Sequence, residues 1–363
     1  MVPVSMVVRA GLVSAAIGAL LVLVGAVAAP LPDAGSTEGG YVRAYRPPRS
    51  ALEVMLNRGD GQAYATLAQD PALRDPSAFV GGPPVAAFFA HRPLLPYLAW
   101  AGSAGRPDAV PYALAVLAVL AVGLLGSACT LLAETLWPGR LGWWAIAPVV
   151  LPGVLSDATT FDPGTLATAL VVFGLARWLR RGADGIVGTA TLFTFAVLAR
   201  EVAIVVPVAI VLVGAWQRTL RAREVALVAP AAVAYVGWFA VVTAGYGDTG
   251  RTMAQYGAFA LPGTGLVAAS ATWELADLVL AAVSAVLVVA SIVWAPSLVL
   301  RATISAYAVA SVVLNEIIWR SWLDFERVLL PMFTLSLLVV TAHLLERRLP
   351  AGASAGAAAP GPG

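Results

Sequence analysis

Apolar residues in this chain come in unbroken runs of about 14 to 25, and polar residues gather in short clusters between them. A helix needs about 20 apolar residues to cross roughly 30 Å of hydrocarbon. The runs do not alternate with period two, so they predict helices and not barrel strands. Spans are expected at 10–29, 109–133, 141–155, 163–179, 186–199, 202–216, 224–243, 276–296, 299–317 and 328–345. The short runs 141–155, 186–199 and 202–216 are expected to be tilted, broken or only partly crossing. The pattern predicts an all-α integral membrane protein with about ten transmembrane helices. Run 10–29 follows Arg9 and ends in "AVAAP", as a signal peptide does. Cleaved signals carry only about 7–15 apolar residues, so an uncleaved first helix is expected.

Residues 30–108 form a long first loop. Within it, 50–71 has apolar residues spaced for two short amphipathic helices, split by a turn at Gly59–Gly61 and lying at the membrane interface. The stretch 81–102 is rich in turn residues and aromatics, as expected at headgroup depth. Residues 351–363, "AGASAGAAAPGPG", are low in complexity and read as a disordered cytoplasmic tail, which leaves 1–350 as one polytopic domain.

Arginine clusters at 177–181, 217–223 and 346–348 fall on one side in the ten-helix count, joined by Arg9, Arg140 and Arg301. The positive-inside rule makes that side cytoplasmic and makes the 30–108 loop extracytoplasmic. Only Glu134, Asp184, Glu224 and Glu346 then lie inside, which places the other 16 of 20 acids on or near the outer face.

Composition narrows the picture. With 60% hydrophobic and 12% charged residues the chain is no ordinary soluble globule. A net charge of +2, carried entirely by arginine among the basic residues, offers no nucleic-acid surface. The single cysteine, Cys129, excludes an intrachain disulfide and a cysteine metal site, and His91 and His343 are too few and too distant for a zinc motif.

Ionisable residues near helix ends are the candidates for chemistry. Asp60 stands in "NRGDGQAYATLAQDP" (57–71), where it reads either as a cap of a short helix or as a reactive carboxylate. Asp70 is the weaker alternative, because Pro71 makes a turn there. "LSDATTFDPGTL" (155–166) puts Asp162 before Pro163, a favourable helix start, and leaves Asp157 either structural or facing a cavity. Arg200 and Glu201 interrupt two apolar segments, either as a pair closing a helical hairpin or as functional charges. "IIWRSWLDFERVLLP" (317–331) is expected to bring Arg320, Asp324, Glu326 and Arg327 to the outer mouth of the last helix.

"GDGQAYATLAQDP" followed by "HRPLLPYLAW" (91–100) resembles a D-G-Q-x-Y and R-P-L-x-P pair found in bacterial members of the GT-C superfamily of polytopic glycosyltransferases. Residue-level similarity is confined to 57–100, while the helix count and long first loop extend it loosely along the chain. The resemblance implies a mannosyltransferase-like enzyme with a polyprenyl-phosphate-linked sugar as donor and a lipid or polysaccharide acceptor. It implies Asp60 as catalytic base, with Tyr64, Arg92, Asp157, Arg200, Glu201 and Arg327 on the substrate, the arginines being candidates for the donor phosphate. No cofactor is required by such a displacement, although Mg or Mn is compatible with the carboxylates. The expected setting is a bacterial plasma membrane, with membrane lipids as the surrounding partners. The rival readings are a transporter or lipid-linked-glycan flippase, and a noncatalytic subunit of an envelope polysaccharide assembly; no internal repeat of the transporter kind is evident.

Overall fold

A computed structural model of the protein describes residues 4–28, 38–39, 42–43, 50–57, 59–247, 260–320 and 322–348. Within these residues the fold is helical apart from one short antiparallel pair, Glu38–Gly39 with Val42–Arg43. The tail 351–363 and residues 248–259 lie outside the described residues.

Five helices are long and apolar enough to cross a membrane. They are Val4–Ala28 (α1), Pro107–Leu136, Ala222–Tyr246, Leu275–Trp294 and Leu330–Arg348. Three shorter apolar helices, Ile186–Ala199, Glu201–Trp216 and Leu298–Val312, stand beside them. Run 163–179 forms Gly164–Arg181, whose last turn carries Arg180 and Arg181 where the helix dipole favours cations. Run 141–155 is not one helix. It is a 3-10 segment, Gly142–Val150, an extended Leu151, and then the helix Pro152–Thr160. Pro148 and Pro152 explain the break, since proline lacks the N–H and clashes with the preceding turn except at a helix start.

Large apolar side chains point away from the protein along the first and fourth of the long spans: Leu12, Leu20 and Leu23 in α1, and Val283, Val286 and Val289 in Leu275–Trp294. Only 17% of either window is buried. Contiguous apolar faces of this kind suit hydrocarbon and not water. The chain therefore has the build of an all-helical, multi-pass membrane protein.

Lipid gives no hydrophobic push between helices, so close backbone approach and packing must hold them together. Ala10, Ser14 and Gly18 form the buried stripe of α1, four residues apart. On Val110–Leu136 (α6), Ala10 and Ser14 meet Gly126, Gly18 meets Val119 and Val122, and the adjacent Gly11 and Ala15 meet Gly123; a methyl added to Gly11 or Gly126 would collide with a serine hydroxyl of the facing helix.

The described part of the long first loop is folded. Ala51–Leu56 (α2), Gly61–Gln69 (α3) and Leu94–Gly102 (α5) pack on α6, and Pro83–Ala90 (α4) packs on α3 and Ala222–Tyr246, in an apolar core that includes Phe79, Phe89, Leu114, Phe161 and Val242. Helices form on either side of Gly59–Gly61, but α3 presents no polar outer face of the amphipathic kind expected: every residue from Gly61 to Ala68 is buried. The stretch 81–102 is likewise helical and largely interior, with Ala86 and Ala87 fully buried.

The remaining elements complete the order: Pro152–Thr160 (α7), Gly164–Arg181 (α8), Ile186–Ala199 (α9), Val205–Trp216 (α10), Ala222–Tyr246 (α11), Thr264–Ser270 (α12), Leu275–Trp294 (α13), Leu298–Val312 (α14), Glu316–Trp319 (α15), Trp322–Val328 (α16) and Leu330–Arg348 (α17). The turn before α3 sits directly on the end of α7, because Gly59 and Gly61 have no side chain to hold it off. A methyl on Gly61 would lie 2.5 Å from the Thr160 carbonyl oxygen. Gln62 secures the turn by donating to the Gly59 carbonyl at 3.1 Å.

Gly61→Ala is expected to lower the stability of the detergent-solubilised protein by about 1–3 kcal/mol, because the obstructing atom is backbone and cannot rotate away. Gly237→Ala in α11, where nothing lies within 4 Å of the added methyl, should leave the unfolding temperature unchanged or slightly raised. Paired thermal unfolding curves check both.

Candidate active site

Connections far apart in sequence converge at one end of the bundle. They are the α2–α3 turn with Asp60, the α4–α5 corner with Arg92, the α7–α8 turn with Asp157 and Asp162, the α9–α10 break with Arg200 and Glu201, and α16 with Arg327. The Arg140–Glu346 pair joins α6 and α17 at the other end.

The α7–α8 turn shows how local sequence places charge. Phe161 adopts the left-handed conformation, φ 55°, unusual for a residue with a Cβ. The Asp162 N–H then bonds back to the Asp157 carbonyl at 3.1 Å, and Pro163 starts the next helix. Asp162 Oδ1 accepts the Gly164 N–H at 3.0 Å, as a helix-start acid does, and also takes Arg200 Nη1 at 2.7 Å. Only glycine fits at position 164: an added methyl would lie 2.6 Å from both Arg200 Nη1 and Asp157 Oδ2.

Arg200 has extended backbone between α9 and a 3-10 turn, so it and Glu201 face different neighbours. They do not close a hairpin on each other. Glu201 receives Arg92 in a two-pronged pair, 2.9 Å from Nε and 2.9 Å from Nη2. Arg92 also donates to the Tyr64 hydroxyl at 3.3 Å, and its guanidinium lies 5.3 Å from the Phe88 ring centre, where cation–π attraction adds to the hold. Arg327 is held less closely, with Asp60 at 3.3 Å, Asp324 at 3.5 Å and Asp162 at 3.9 Å.

A cavity of about 440 Å³ opens over this network. Asp60, Arg92, Arg200, Glu201, Asn315, Arg320, Asp324 and Arg327 form its polar wall, with Arg320 exposed at the rim beside Glu316, and Leu314 and Ile318 are among its apolar lining. Asp60 occupies the residue before α3, but its side chain caps nothing there; it turns to Arg327. Tyr64 is fully buried against Phe89 and reaches the cavity only through Arg92. Asp157 lies beneath the wall, fully enclosed, with Thr165 donating to one oxygen at 2.9 Å and no hydrogen-bond partner for the other. Asp70 is elsewhere: it accepts the backbone N–H groups of Arg74 and Asp75 at 2.6 and 2.7 Å, a turn role.

The carboxylates divide by environment. Burial raises the affinity of Asp162 for a proton, but Arg200, Arg327 and Arg92 overcome it and hold this carboxyl well below the usual range. Asp157 goes the other way, pushed well above the usual range by burial and then by the charge of Asp162, which Arg200 and Arg327 only partly offset. Asp60 is also raised, by burial against the pull of Arg327 and with the repulsion of Asp162 added. One end of the cluster thus keeps a fixed anion, another keeps a proton, and Asp60 is the carboxylate poised between on the cavity wall.

Asp162 is the residue that sequence reasoning undervalued. The Asp-Pro-Gly pattern gave a sufficient helix-start explanation, and nothing in it announced Arg200, 38 positions away. Glu326 departs from expectation as well. It is not at the mouth: it is fully buried and accepts the Gly153 N–H at 2.8 Å, which ties α16 to the start of α7. Burial pushes its carboxyl up to about 7, with that hydrogen bond opposing. Among the described residues no group of three or more His, Cys, Asp or Glu side chains is arranged to hold a metal ion. Comparison with protein-family models and with curated proteins finds no match for this chain.

Asp162→Asn should destabilise the protein by about 3–5 kcal/mol, because Arg200 is left buried without its anion. Asp157→Asn should cost less than about 1 kcal/mol, since a proton-bearing carboxyl and an amide present similar groups to Thr165. Thermal unfolding of both at neutral pH separates the roles. For Glu326, the raised value means that the folded state holds a proton which the unfolded chain gives up near the ordinary 4.5. Its contribution is therefore full below about pH 4.5 and is lost as pH rises to about 7, by at most roughly 3 kcal/mol. Glu326→Gln should flatten that part of a stability–pH curve.

Proposed function

We propose that this protein is a membrane glycosyltransferase of GT-C type, moving a sugar from a polyprenyl-phosphate donor to a cell-envelope acceptor on the extracytoplasmic face of a bacterial plasma membrane. The observation that carries this reading is the pairing of Asp60 with Arg327 at 3.3 Å on the wall of one cavity, a base beside a cation for the leaving phosphate. A second cavity of about 400 Å³ supports a membrane-borne donor. It lies between α13, α14 and α17, is walled by Val288, Ala308 and Met332, and is also lined by Trp319 and Phe325, the chain neighbours of Ile318 and Asp324 on the first cavity. Its lining suits a hydrocarbon chain whose head reaches Arg327.

The reaction balances without a cofactor. Asp60 takes the proton of the acceptor hydroxyl as its oxygen bonds to the anomeric carbon. The bond from that carbon to the phosphate oxygen breaks, and polyprenyl phosphate leaves with the electron pair toward Arg327. One displacement inverts the anomeric centre. Arg92 and Arg200 are held too tightly by Glu201 and Asp162 to move far, and their role is to fix the wall.

Asp60→Asn should lower transfer by about 10²–10⁴-fold at unchanged protein abundance, measured with labelled polyprenyl-phosphate sugar in proteoliposomes. The raised affinity of Asp60 for its proton shifts the acid limb of the wild-type pH–rate profile above the position of an ordinary aspartate, with rate rising as pH rises through it. Label that crosses the vesicle without joining an acceptor would instead establish the transporter reading. A deletion strain with an unaltered envelope glycan profile would remove the enzyme reading altogether.

A further inference from the structure

Four guanidinium groups line the cavity; Arg320 stands exposed at its rim with Glu316 at 3.5 Å, and the three buried ones are not equally occupied. Arg92 has two contacts of 2.9 Å to Glu201 and a third donor on Tyr64. Arg200 has a 2.7 Å contact to Asp162. Both lie in the range of strong charge-assisted bonds, about 2.7–2.9 Å. Arg327 has none so short: its contacts are 3.3, 3.5 and 3.9 Å, and its buried Nε has no hydrogen-bond partner. Asp60 in turn has Arg327 as its only ion-pair contact among the described residues. A phosphate matches the planar fork of arginine better than three distant carboxylates do. It would occupy the face of Arg327 that Asp60 now holds, and two anions cannot share that position without repulsion.

We propose that Asp60 is a resident competitor for Arg327, displaced when the phosphate of an incoming ligand binds, so that the carboxylate is released to act only once the phosphate is in place. The proposal rests on the glycosyltransferase reading for the consequence of release, and on the geometry alone for the competition. It orders the two ligands: the phosphate-bearing one binds first, and the hydroxyl-bearing one second. Before then Asp60 is neutralised by its partner. Afterwards the cation that restrained its basicity is engaged elsewhere.

The experiment is a binding measurement on the purified full-length protein in detergent, with no sugar transfer involved. Decyl methyl phosphate, a diester of fixed charge, and inorganic phosphate are titrated calorimetrically into the wild type, Asp60→Asn and Arg327→Gln. Removal of the competing charge should tighten diester binding about tenfold in Asp60→Asn, the scale expected of a partly exposed ion pair. Arg327→Gln should abolish it. Tightening for the diester alone identifies a membrane-borne ligand, and equal tightening for inorganic phosphate identifies the free anion. Unchanged or weaker diester binding in Asp60→Asn overturns the proposal, as does full binding by Arg327→Gln. Where a variant does not fold, the wild type alone decides: diester affinity should rise as pH falls and Asp60 takes up its proton, and a flat profile overturns the competition. Asp60→Asn that binds more tightly yet transfers sugar normally would sink the catalytic reading and leave the competition standing. Loss of transfer without tighter binding would do the reverse.

Discussion

Seven ionisable side chains held largely out of water at one end of a helical bundle constrain the rest of this structure. Asp60, Arg92, Asp157, Asp162, Arg200, Glu201 and Arg327 come from five separate segments, and the charges among them are paired across those segments. A buried charge left alone costs several kcal/mol, whereas one paired at hydrogen-bond distance is tolerated. The connections must therefore meet, and the helices that carry them must be placed so that they do. The left-handed Phe161, the glycines at 59, 61 and 164, and the 3-10 turn after Arg200 all serve that convergence.

Within the network, rigidity and availability are separated. Arg92–Glu201 and Arg200–Asp162 are short, geometrically matched pairs that behave as masonry. Asp60 and Arg327 are more loosely joined, and they are the pair that the proposed phosphate ligand would part. The cost of holding a carboxylate beside a cation on the cavity wall is thus shared with neighbours whose own charges are closely matched. The proton on Asp157 belongs to the same economy of charge: with Asp162 already fixed as an anion, a second buried carboxylate beside it is held neutral.

The rest of the fold follows from its solvent. Small residues join α1 to α6, since hydrocarbon offers no gain for packing apolar groups together. Apolar faces are left outward on α1 and α13 for the same reason. The described helices of the first loop, by contrast, pack in a core of their own, in which α3 is buried all round and not only along one stripe.

Much of this was legible in the order of residues. Run length and the lack of alternation established a helical membrane protein, because a bilayer demands about 20 apolar residues from a helix and permits no unpaired backbone. The turn at Gly59–Gly61 and the proline breaks were legible too, since glycine and proline act on the backbone locally. Partners were not. Asp162 looked like a helix start, Arg200 and Glu201 looked like a pair, and Glu326 looked like a surface acid; each was reassigned by a neighbour between 38 and 173 positions away. Periodicity reports which face of a helix is apolar, but the choice of ion-pair partner is set by distances of a few ångströms between segments, and only the packed structure determines those.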